Sequence, residues 1–335
     1  MLSSPLVTVI IPNYNHALYL PLRIESVINQ TFKDVEIIIL DDCSSDNSRQ
    51  IISSYAVKDS RIRFVYNEQN SGSTFKQWNK GFELVRGKYI WIAESDDSAD
   101  KNFLAKLLSC FENEPQIVLA YSNSFDIDAN DNIKGTIEWS LVELDEMWND
   151  DFTVDGTSLI KRFMPYRNVI PNASAVLFEA RVINELGGAN EKYRLCGDMA
   201  FWAKILSKGK ASYLSEPLNY WRSHQNNVRT KTSLDGSMLI EASQVMGAIQ
   251  IYGELDKDNI DKSFVQLVNL WYDSWANRYM SFSVNKDVYN NILFFYPNSK
   301  RRIFALLSKR FFDKNSGLKA LIRKSVLFRM LKTDI

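Results

Sequence analysis

The first hundred residues repeat one pattern: a short apolar run, a polar turn and a segment with apolar residues at helical spacing. The runs lie at 6–11, 35–40, 62–66 and 89–93, and helical spacing follows the first three at 18–30, 48–55 and 74–86. Mostly continuous apolar runs of this length are typical of strands buried on both faces of a parallel sheet. Strands that alternate with helices over short connections predict an α/β fold, with a mostly parallel central sheet covered by helices.

Three of the four strands run directly into polar residues. The polar clusters are Asn13 to Asn15, Asp41 to Asp42 and Glu94 to Asp97. In open α/β sheets, ligands bind outside the carboxyl ends of the strands. Because all three clusters occupy such ends, the sequence predicts that they meet at one edge of the sheet and form a ligand site there.

The third cluster, Glu94-Ser95-Asp96-Asp97, places three carboxylates directly after a buried strand. Carboxylates this close repel one another, so water, a helix N-terminus or a bound cation must offset their charge. Mg²⁺ and Mn²⁺ are the cations of interest, since hard divalent ions take oxygen ligands. The structural alternative is that Asp97 or Ser98 caps a helix that begins near Asp100.

The chain up to about residue 225 continues the alternation less regularly. Further strands are predicted at 117–122, 175–178 and 212–214, and further helices at 103–111, 182–186 and 199–207. A hairpin turn is expected at 130–132. The irregular stretch 139–160, rich in Trp and acids, is expected to form a long loop over the site. Beyond 233 only helices are expected, including 239–252 and 264–279.

Composition excludes several classes of protein. A chain of 335 residues with 45% hydrophobic residues is long enough for one large core and an appendage. A formal net charge of zero argues against a general nucleic-acid binder. The three cysteines suggest neither a disulfide framework nor a zinc site, which favours a reducing compartment. With no signal peptide and no long apolar run, a cytoplasmic protein is expected.

The positive charge is concentrated at the C-terminus. From Lys300 onward there are eleven Lys or Arg and two acids, a net charge of +9, and apolar clusters lie between them. Basic, aromatic-rich helices of this kind can lie in the interface of an anionic bilayer. Two interpretations of 300–332 follow: peripheral contact with the inner face of the cell membrane, or helices that pack on the catalytic domain with their basic face in solvent.

Four motifs occur in a familiar order. They are V-I-I-P-N-Y-N at 9–15, Q-T-F at 30–32, I-L-D-D-C-S-S-D at 39–46 and G-K-Y-I-W-I-A-E-S-D-D at 87–97. From 6 to 224 the chain resembles the family 2 glycosyltransferases of the GT-A fold, which move a sugar from a nucleotide diphosphate to an acceptor hydroxyl with inversion. The resemblance implies a GT-A domain over 1–225, with a nucleotide-binding half (1–98) and an acceptor half (99–225), followed by a helical region (226–335).

The resemblance assigns the first two polar clusters to the nucleotide. It implies that Pro12 and Tyr14 line the base pocket. Asp42 would accept a hydrogen bond from a pyrimidine imide, and Asp41 would support that loop. A carboxylate suits the imide because a buried N–H donor needs an acceptor, so donors that carry UDP or dTDP are favoured. For Asp42 the alternative role is that of a turn or cap acid.

The third cluster matches the family's metal site. Asp96 and Asp97 correspond to the metal-binding pair, with Asp97 expected to coordinate Mg²⁺ or Mn²⁺ directly and Asp96 expected to contact the nucleotide as well. Glu94 stands where many relatives have Asp, and it is expected near the ribose or a metal-bound water. The end of the match, Tyr220 to His224, resembles an aromatic-Arg-x-His motif. His224 is therefore either a metal or phosphate ligand or a structural residue.

The resemblance implies that Asp198 is the catalytic base. Asp198 precedes a helix that carries Trp202, as in the family. It would take the proton of the acceptor hydroxyl, carried by a glycan or a lipid-linked acceptor, while that oxygen attacks the anomeric carbon. A metal would stabilise the leaving diphosphate. Asp198 can also serve as a helix N-cap, and the two roles are compatible.

One position departs from the family. Many members have Ala-Arg-Asn-x-Gly where this chain has Gln77-Trp78-Asn79-Lys80-Gly81. Trp78 thus replaces a basic residue near the nucleotide. Two interpretations are open: Lys76 or Lys80 supplies the missing charge, or Trp78 simply packs.

Two rival functions compete with the transferase. One is a catalytically silent module that binds nucleotide sugars or glycans on the same fold, since fold does not fix function. The presence of Asp96, Asp97 and Asp198 argues for activity. The other is a nucleotidyltransferase, which needs a basic Gly-rich loop after the first strand. The segment Pro12 to Asn15 is not such a loop.

Overall fold

The structure is a computed structural model that describes residues 4–137, 139–223, 236–276 and 280–314. The chain divides into two compact units. The first comprises Met1–Met164 and Asn168–Gln225, and the second comprises Pro165–Arg167 and Asn226–Ile335. The predictions for His224 and for 315–332 lie outside the described residues.

The first unit carries a sheet of ten strands among the described residues. The strands are β1 (Val7–Asn13), β2 (Val35–Asp41), β3 (Ile62–Tyr66), β4 (Tyr89–Ile92), β5 (Ser98–Ala99), β6 (Ile117–Ile127), β7 (Ile133–Thr136), β8 (Phe152–Asp155), β9 (Val176–Glu179) and β10 (Lys210–Arg222). The helices are α1 (Leu20–Ile28), α2 (Ser48–Lys58), α3 (Thr74–Phe82), α4 (Phe103–Asn113), α5 (Trp139–Val142), α6 (Gly156–Arg162), α7 (Arg181–Leu186) and α8 (Gly197–Leu206). The α/β class predicted from the sequence is therefore observed.

The sheet has the order β3-β2-β1-β4-β9-β6-β10-β5, with β7 beside β6 and β8 beside β10. Strands β3, β2, β1 and β4 are all parallel, and Val7 lies opposite both Val35 and Tyr89. Strand β9 is antiparallel to both of its neighbours, β4 and β6, while β6 and β10 are parallel to each other. A purely parallel half is thus joined to a mixed half through a single reversed strand.

Helices cover both faces of the parallel half. On one face, Ile24 of α1 and Leu107 of α4 are fully buried in a core with Val9 and Ile39. On the other face α3 lies directly on β1, since a Cβ at Gly81 would come within 2.7 Å of the Ile10 side chain. The central strands are therefore buried on both sides, which explains their continuous apolar sequence.

The prediction of a long loop over 139–160 is wrong. This stretch contains α5, a 3₁₀ turn (Glu146–Asn149), β8 and the start of α6. Trp148 has 0% exposure and donates a 3.0 Å hydrogen bond from its indole nitrogen to the hydroxyl of Tyr121 in β6. Strand β8 pairs with the first residues of β10, so the stretch is part of the sheet. The expected turn at 130–132 is confirmed by the β6–β7 hairpin, in which Asp131 adopts a φ of 67°.

The described part of the second unit is helical. Its helices are α9 (Ser237–Gln250), α10 (Lys257–Ala276), α11 (Phe282–Phe295) and α12 (Lys300–Lys314). Helix α12 packs on α10 through buried Ile303, Leu307 and Phe311. Arg310 also pairs with Asp273 of α10 at 2.5 Å. The apolar face formed by Ile303, Leu307 and Phe311 therefore belongs to the core of its own unit, and this finding gives membrane contact no support. None of the helices in the described ranges is long and apolar enough to span a bilayer.

Candidate active site

The three polar clusters predicted to converge do meet at one edge of the sheet. Asn13, the last residue of β1, lies opposite Asp41, the last residue of β2. The neighbouring strand β4 pairs with β1 up to Ile92 and then continues into Glu94 to Asp97, here called the acidic turn. The main-chain oxygen of Asn13 accepts a 2.8 Å hydrogen bond from the Asp42 nitrogen, so the first two clusters are also joined directly.

Asp97 is the most enclosed acid of the acidic turn, with 3% exposure. Its Oδ1 accepts from the Arg222 main-chain nitrogen at 2.9 Å, and its Oδ2 accepts from Nδ2 of Asn172 at 3.3 Å. Burial and then the charge of Asp96 raise the pKa of Asp97. Asp97 is not a helix cap, because α4 begins only at Phe103 and the Asp97 carboxylate is used in these other contacts. The capping alternative for Asp97 is thereby removed.

Glu94 is held from both its side chain and its main chain. Its Oε1 accepts a 2.8 Å hydrogen bond from the indole nitrogen of Trp78. Its main-chain nitrogen donates to the Ser174 hydroxyl at 3.1 Å, and its main-chain oxygen accepts from Nε of Arg23 at 2.8 Å. Burial and then the charge of Asp96 raise the pKa of Glu94 to about 8. Burial and the neighbouring carboxylate therefore both disfavour the charged form of Glu94.

Two buried arginines face the acidic turn. Arg23, in α1, has 0% exposure, and its Nη2 lies 4.0 Å from Oδ2 of Asp97. Burial lowers the pKa of Arg23 to about 10, against the opposing effect of the nearby acids. Arg222, at the end of β10, donates from Nε to the main-chain oxygen of Asp96 at 2.6 Å, and its guanidinium lies over the ring of Tyr19. Arg222 also bonds Asp131, which ties the β6–β7 hairpin to the acidic turn.

Asp41 and Asp42 organise the loops beside the acidic turn. Oδ2 of Asp41 accepts from Nε of Arg49 at 2.9 Å and from the Ser44 nitrogen at 3.1 Å. Oδ1 of Asp42 accepts from three groups that belong to the β3–α3 loop and to α3. These are Nδ2 of Asn67 at 2.7 Å, the Ser71 nitrogen at 2.9 Å and Nε2 of Gln77 at 3.0 Å. Oδ2 of Asp42 accepts from the Ser71 hydroxyl at 2.8 Å, so this second oxygen has the greater remaining capacity for a ligand donor.

Pro12 and Tyr14 lie at the end of β1, where its loop begins. Pro12 is buried within the strand, whereas Tyr14 is 46% exposed. Asn15 follows with a φ of 55°, a conformation that Asn tolerates better than most residues. Its Oδ1 accepts from the Ser45 nitrogen at 2.7 Å, which fixes the β1–α1 loop against the β2–α2 loop. Tyr14 thus presents its ring at the rim of the site.

Trp78 was expected either to pack or to have its missing charge supplied by Lys76 or Lys80, and the structure shows the contacts of all three residues. The Trp78 ring is buried at 2% exposure and packs against Phe75 of its own helix and against Phe201 and Trp202 of α8. Its indole nitrogen also bonds Glu94, so packing is only part of its role. Lys76 and Lys80 both bond the β3–α3 loop, through the Ser71 oxygen and the Asn67 side chain.

Asp198 lies in the first turn of α8, whose N-cap is Cys196. Its Oδ2 accepts a 3.2 Å hydrogen bond from Nδ2 of Asn168. Four residues further on, Asn172 bonds Asp97. Because four residues span at most about 14 Å between Cα atoms, one short segment places the predicted base and the acidic turn at the same edge of the sheet.

Of the three predicted metal ligands, Asp96, Asp97 and His224, only the two aspartates lie among the described residues. His224 lies outside the described residues, so its place beside Asp96 and Asp97 stays a prediction. Among the described residues, no group of three or more His, Cys, Asp or Glu side chains is arranged to hold an ion. Asp96 is half-buried and Asp97 is buried, which makes Asp96 the more accessible of the pair.

Known proteins resemble this chain in both sequence and fold. Residues 8–169 match the family model described as glycosyl transferase family 2. The chain is 30% identical over 226 residues to the putative teichuronic acid biosynthesis glycosyltransferase TuaG of Bacillus subtilis, a match that covers 67% of this chain and 82% of TuaG. The chain belongs to glycosyl transferase family 2. Three further relatives match this glycosyltransferase over 122 to 134 residues, and the alignments cover only 42 to 48% of their lengths.

Solved structures support the fold of this family 2 glycosyltransferase. Staphylococcus aureus TarS 1-349, solved in complex with UDP-GlcNAc, superposes with a TM-score of 0.64 at 19% identity and covers 90% of this chain and 83% of that chain. The mannosyltransferase PcManGT of Pyrobaculum calidifontis, in complex with GDP-Man and Mn²⁺, gives a TM-score of 0.57 at 13% identity over 94% of this chain and 89% of that chain. The expected GT-A fold with C-terminal helices is confirmed.

Three residues of the candidate site were not predicted from the sequence. They are Arg23, Asn168 and Asn172, whereas Arg222 was expected only as part of the motif that ends at His224. The sequence did contain an indication that Arg23 is unusual. Arg23 lies on the same face of α1 as the buried residues Leu20 and Ile24. A charge on an apolar face is expensive unless it has a partner, and the partner here is the acidic turn.

Proposed function

We propose that this family 2 glycosyltransferase transfers a sugar, with inversion, from a nucleoside-diphosphate sugar to a hydroxyl of a glycan or lipid-linked acceptor. The observation that carries the proposal is the meeting of three groups at one sheet edge. These groups are the loop anchored by Asp42, the acidic turn, and Asp198 tied to that turn through 168–172. Nucleotide, diphosphate and acceptor would each have a set of chemically suitable residues.

The nucleotide would lie against the ends of β1 and β2. Pro12 and Tyr14 would flank the base, and Oδ2 of Asp42 would accept from the imide of uracil or thymine. This oxygen suits the role because Oδ1 already receives three protein donors, which fix the orientation of the carboxylate. Asp41 would hold the same loop through Arg49 and Ser44. UDP and dTDP sugars are therefore the favoured donors.

A divalent ion fits the charge of the acidic turn. Three carboxylates lie there with two buried arginines, and the pKa values of Glu94 and Asp97 are raised first by burial and then by the charge of Asp96. A cation bound beside these carboxylates would stabilise their charged forms. Asp96 would be the principal protein ligand, since its carboxylate is the more accessible, and Asp97 and His224 would complete the site. Mg²⁺ or Mn²⁺ bound there would neutralise charge on the leaving diphosphate. The proposal of Asp96 as the principal ligand differs from the expectation, drawn from the sequence, that Asp97 coordinates the ion directly.

Asp198 would remove the proton of the acceptor hydroxyl as that oxygen attacks the anomeric carbon. The amide of Asn168 would orient its carboxylate, which lies in the first turn of α8. The attacking oxygen and the departing diphosphate would lie on opposite sides of the sugar, so no covalent intermediate with the protein is needed. This geometry gives inversion at the anomeric carbon.

A donor panel tests the proposal. Purified protein would be incubated with UDP-, dTDP- and GDP-sugars, each with Mn²⁺, Mg²⁺ or EDTA, and release of nucleoside diphosphate would be followed. We expect metal-dependent release from one or more UDP or dTDP sugars, and a large loss of rate in Asp198→Asn. Binding of a donor with no hydrolysis or transfer under any metal condition, including trials with glycan and lipid-linked acceptors, would instead indicate the silent binding module.

A further inference from the structure

The guanidinium of Arg23 lies in an unusual position for a charged group. Its residue has 0% exposure, and its Cζ is 5.6 Å from the centroid of the Trp91 ring. Nε bonds the main-chain oxygen of Glu94, but neither Nη1 nor Nη2 has a hydrogen-bond partner among the described residues. Burying a charge with unfilled donors is costly, so a purely structural role would be better filled by an apolar side chain.

The nearest charges to Arg23 are all negative except one. Asp97, Asp96 and Glu94 each stabilise the charged guanidinium, in that order, and Arg222 opposes them. The closest approach is 4.0 Å, between Nη2 and Oδ2 of Asp97. This is within ion-pair range but longer than a hydrogen bond, so the contact acts mainly through charge.

Arg23 and Trp78 hold Glu94 from opposite parts of the chain. Arg23 reaches the main-chain oxygen of Glu94 from α1, and Trp78 reaches the Glu94 carboxylate from α3. Trp78 contributes an N–H donor without a positive charge. Lys76 and Lys80 are engaged with the β3–α3 loop. Arg23 therefore brings a cation to the acidic turn from the other side.

We propose that Arg23 is a positioning residue that serves as a fixed internal cation of the donor site, holding the acidic turn in place and offsetting its charge when a diphosphate approaches. The inference rests on the proposed function, because it assigns the turn to the diphosphate and a divalent ion. The guanidinium does not touch the donor. It acts through Glu94 and Asp97.

We expect the loss of the Arg23 charge to change the affinities for Mn²⁺ and for a nucleoside diphosphate in opposite directions. Removing the guanidinium charge lowers the repulsion felt by a metal ion at the acidic turn, so Mn²⁺ should bind more tightly, by about three- to tenfold. A nucleoside diphosphate without metal carries negative charge, so its binding should weaken by about tenfold. A loss of folding alone would weaken both.

The experiment measures both constants by calorimetry on the full chain. Mn²⁺ is titrated alone, and UDP and GDP are each titrated in EDTA, against the wild type, Arg23→Met and Arg23→Lys. Arg23→Met keeps most of the apolar stem and removes the charge, whereas Arg23→Lys keeps the charge. Arg63→Met is the control, because Arg63 pairs with Glu36 at the opposite end of the parallel strands. Urea unfolding of each variant reports its stability.

The proposal is supported if Arg23→Met binds Mn²⁺ more tightly and nucleoside diphosphate more weakly than the wild type does, while both affinities stay near wild type in Arg23→Lys and Arg63→Met. Equal weakening of both ligands in Arg23→Met and in Arg23→Lys would show that Arg23 only supports the fold, and unchanged constants would show that it has no effect on the site. If the wild type binds neither nucleoside diphosphate, with or without Mn²⁺, the proposed function itself is wrong and this inference falls with it.

Discussion

The indole nitrogen of Trp78 donates a 2.8 Å hydrogen bond to Oε1 of Glu94, and this contact links two parts of the site. The same indole ring packs against Phe201 and Trp202 in α8, the helix whose first turn carries Asp198. Trp78 is thus in contact both with the acidic turn and with the helix of the proposed base. Trp78 therefore connects the proposed donor side of the site to the proposed acceptor side.

We predict that Trp78→Phe raises the KM for the donor about three- to tenfold and leaves kcat within about threefold. The ring contacts with α8 remain, but Glu94 loses a donor, and a lost hydrogen bond of this kind costs about 1 kcal/mol. Steady-state kinetics with the best donor of the panel would measure the change.

Trp202→Phe is the matched control for this variant. The Trp202 indole lies in the same aromatic cluster, and its nitrogen has no hydrogen-bond partner among the described residues. Its replacement should therefore leave the donor KM unchanged. Equal effects of the two variants would mean that the cluster, and not the bond to Glu94, determines donor binding.

Asp96 and Asp97 should differ in what their replacement does to stability. Asp97→Asn leaves Arg23 without its closest charge partner and places an amide against two donors, so the free energy of unfolding should fall by about 2–4 kcal/mol. Asp96→Asn, at a half-buried side chain, should cost less than about 1 kcal/mol. Both variants should lose metal-dependent turnover.

Urea unfolding and Mn²⁺ titration of the two variants would check this prediction. Near wild-type turnover in either variant would remove that residue from the metal site. A larger loss of stability in Asp96→Asn than in Asp97→Asn would contradict the placement of Asp97 as the enclosed acid.

The positions of the central strands in the parallel half could be predicted from the sequence. Strands that are buried on both faces consist almost entirely of apolar residues, and such runs are easy to recognise. Residues 35–40 were predicted as a strand, and the observed β2 runs from Val35 to Asp41 with every residue buried. The same rule fails for β10, which was predicted as three residues and has thirteen. Its register shifts around Pro217, and the bulges there interrupt the apolar pattern. Strand β8 was missed since it pairs along one side only and alternates between half-buried and exposed residues.

The candidate site could be predicted where its residues follow strands. Parallel strands bring their carboxyl ends to one edge, so the convergence of Asp41, Asp42 and the acidic turn followed from the order of elements alone. The contacts of Arg222 and Asn172 could not be predicted. They join residues 125 and 75 positions apart in sequence, and only the folded sheet brings these together.

Asp42 allows a test that separates loop anchoring from base recognition. Asp42→Ala should weaken UDP or dTDP binding by about tenfold or more, while Mn²⁺ binding in the absence of nucleotide stays unchanged. The carboxylate would be missing both for the imide and for the donors of Asn67, Ser71 and Gln77. Calorimetry with UDP and dTDP would measure the loss.

Gln77→Leu provides the comparison. It removes one of the donors to the Asp42 carboxylate and leaves the carboxylate itself in place. If Asp42 contacts the base, Gln77→Leu should weaken nucleotide binding far less than Asp42→Ala does. Equal losses would mean that Asp42 acts only by holding the β3–α3 loop, and unchanged binding in Asp42→Ala would exclude it from the pocket.

The proposed base gives the sharpest kinetic prediction. Asp198→Asn should lower kcat for transfer by a factor of about 10² to 10⁴, the usual contribution of a general base. Donor affinity should stay within about threefold, because the proposed donor contacts come from the ends of β1 and β2 and from the acidic turn, whereas Asp198 lies in α8 and bonds Asn168. The cost in stability should be about 1 kcal/mol, because the amide keeps the shape of the side chain and a carboxylate near a helix N-terminus contributes about this much. Single-turnover kinetics with saturating donor would isolate the chemical step.

Asn168→Ala should reproduce a small part of this loss. It removes the amide that orients the Asp198 carboxylate at 3.2 Å but keeps the carboxylate, so a drop in kcat of about three- to tenfold is expected with no change in donor KM. The double variant should be no slower than Asp198→Asn alone, because the amide acts through the carboxylate that is already gone. A collapse of donor affinity in Asp198→Asn would instead make Asp198 a donor-side residue, and additive losses in the double variant would give Asn168 a role of its own.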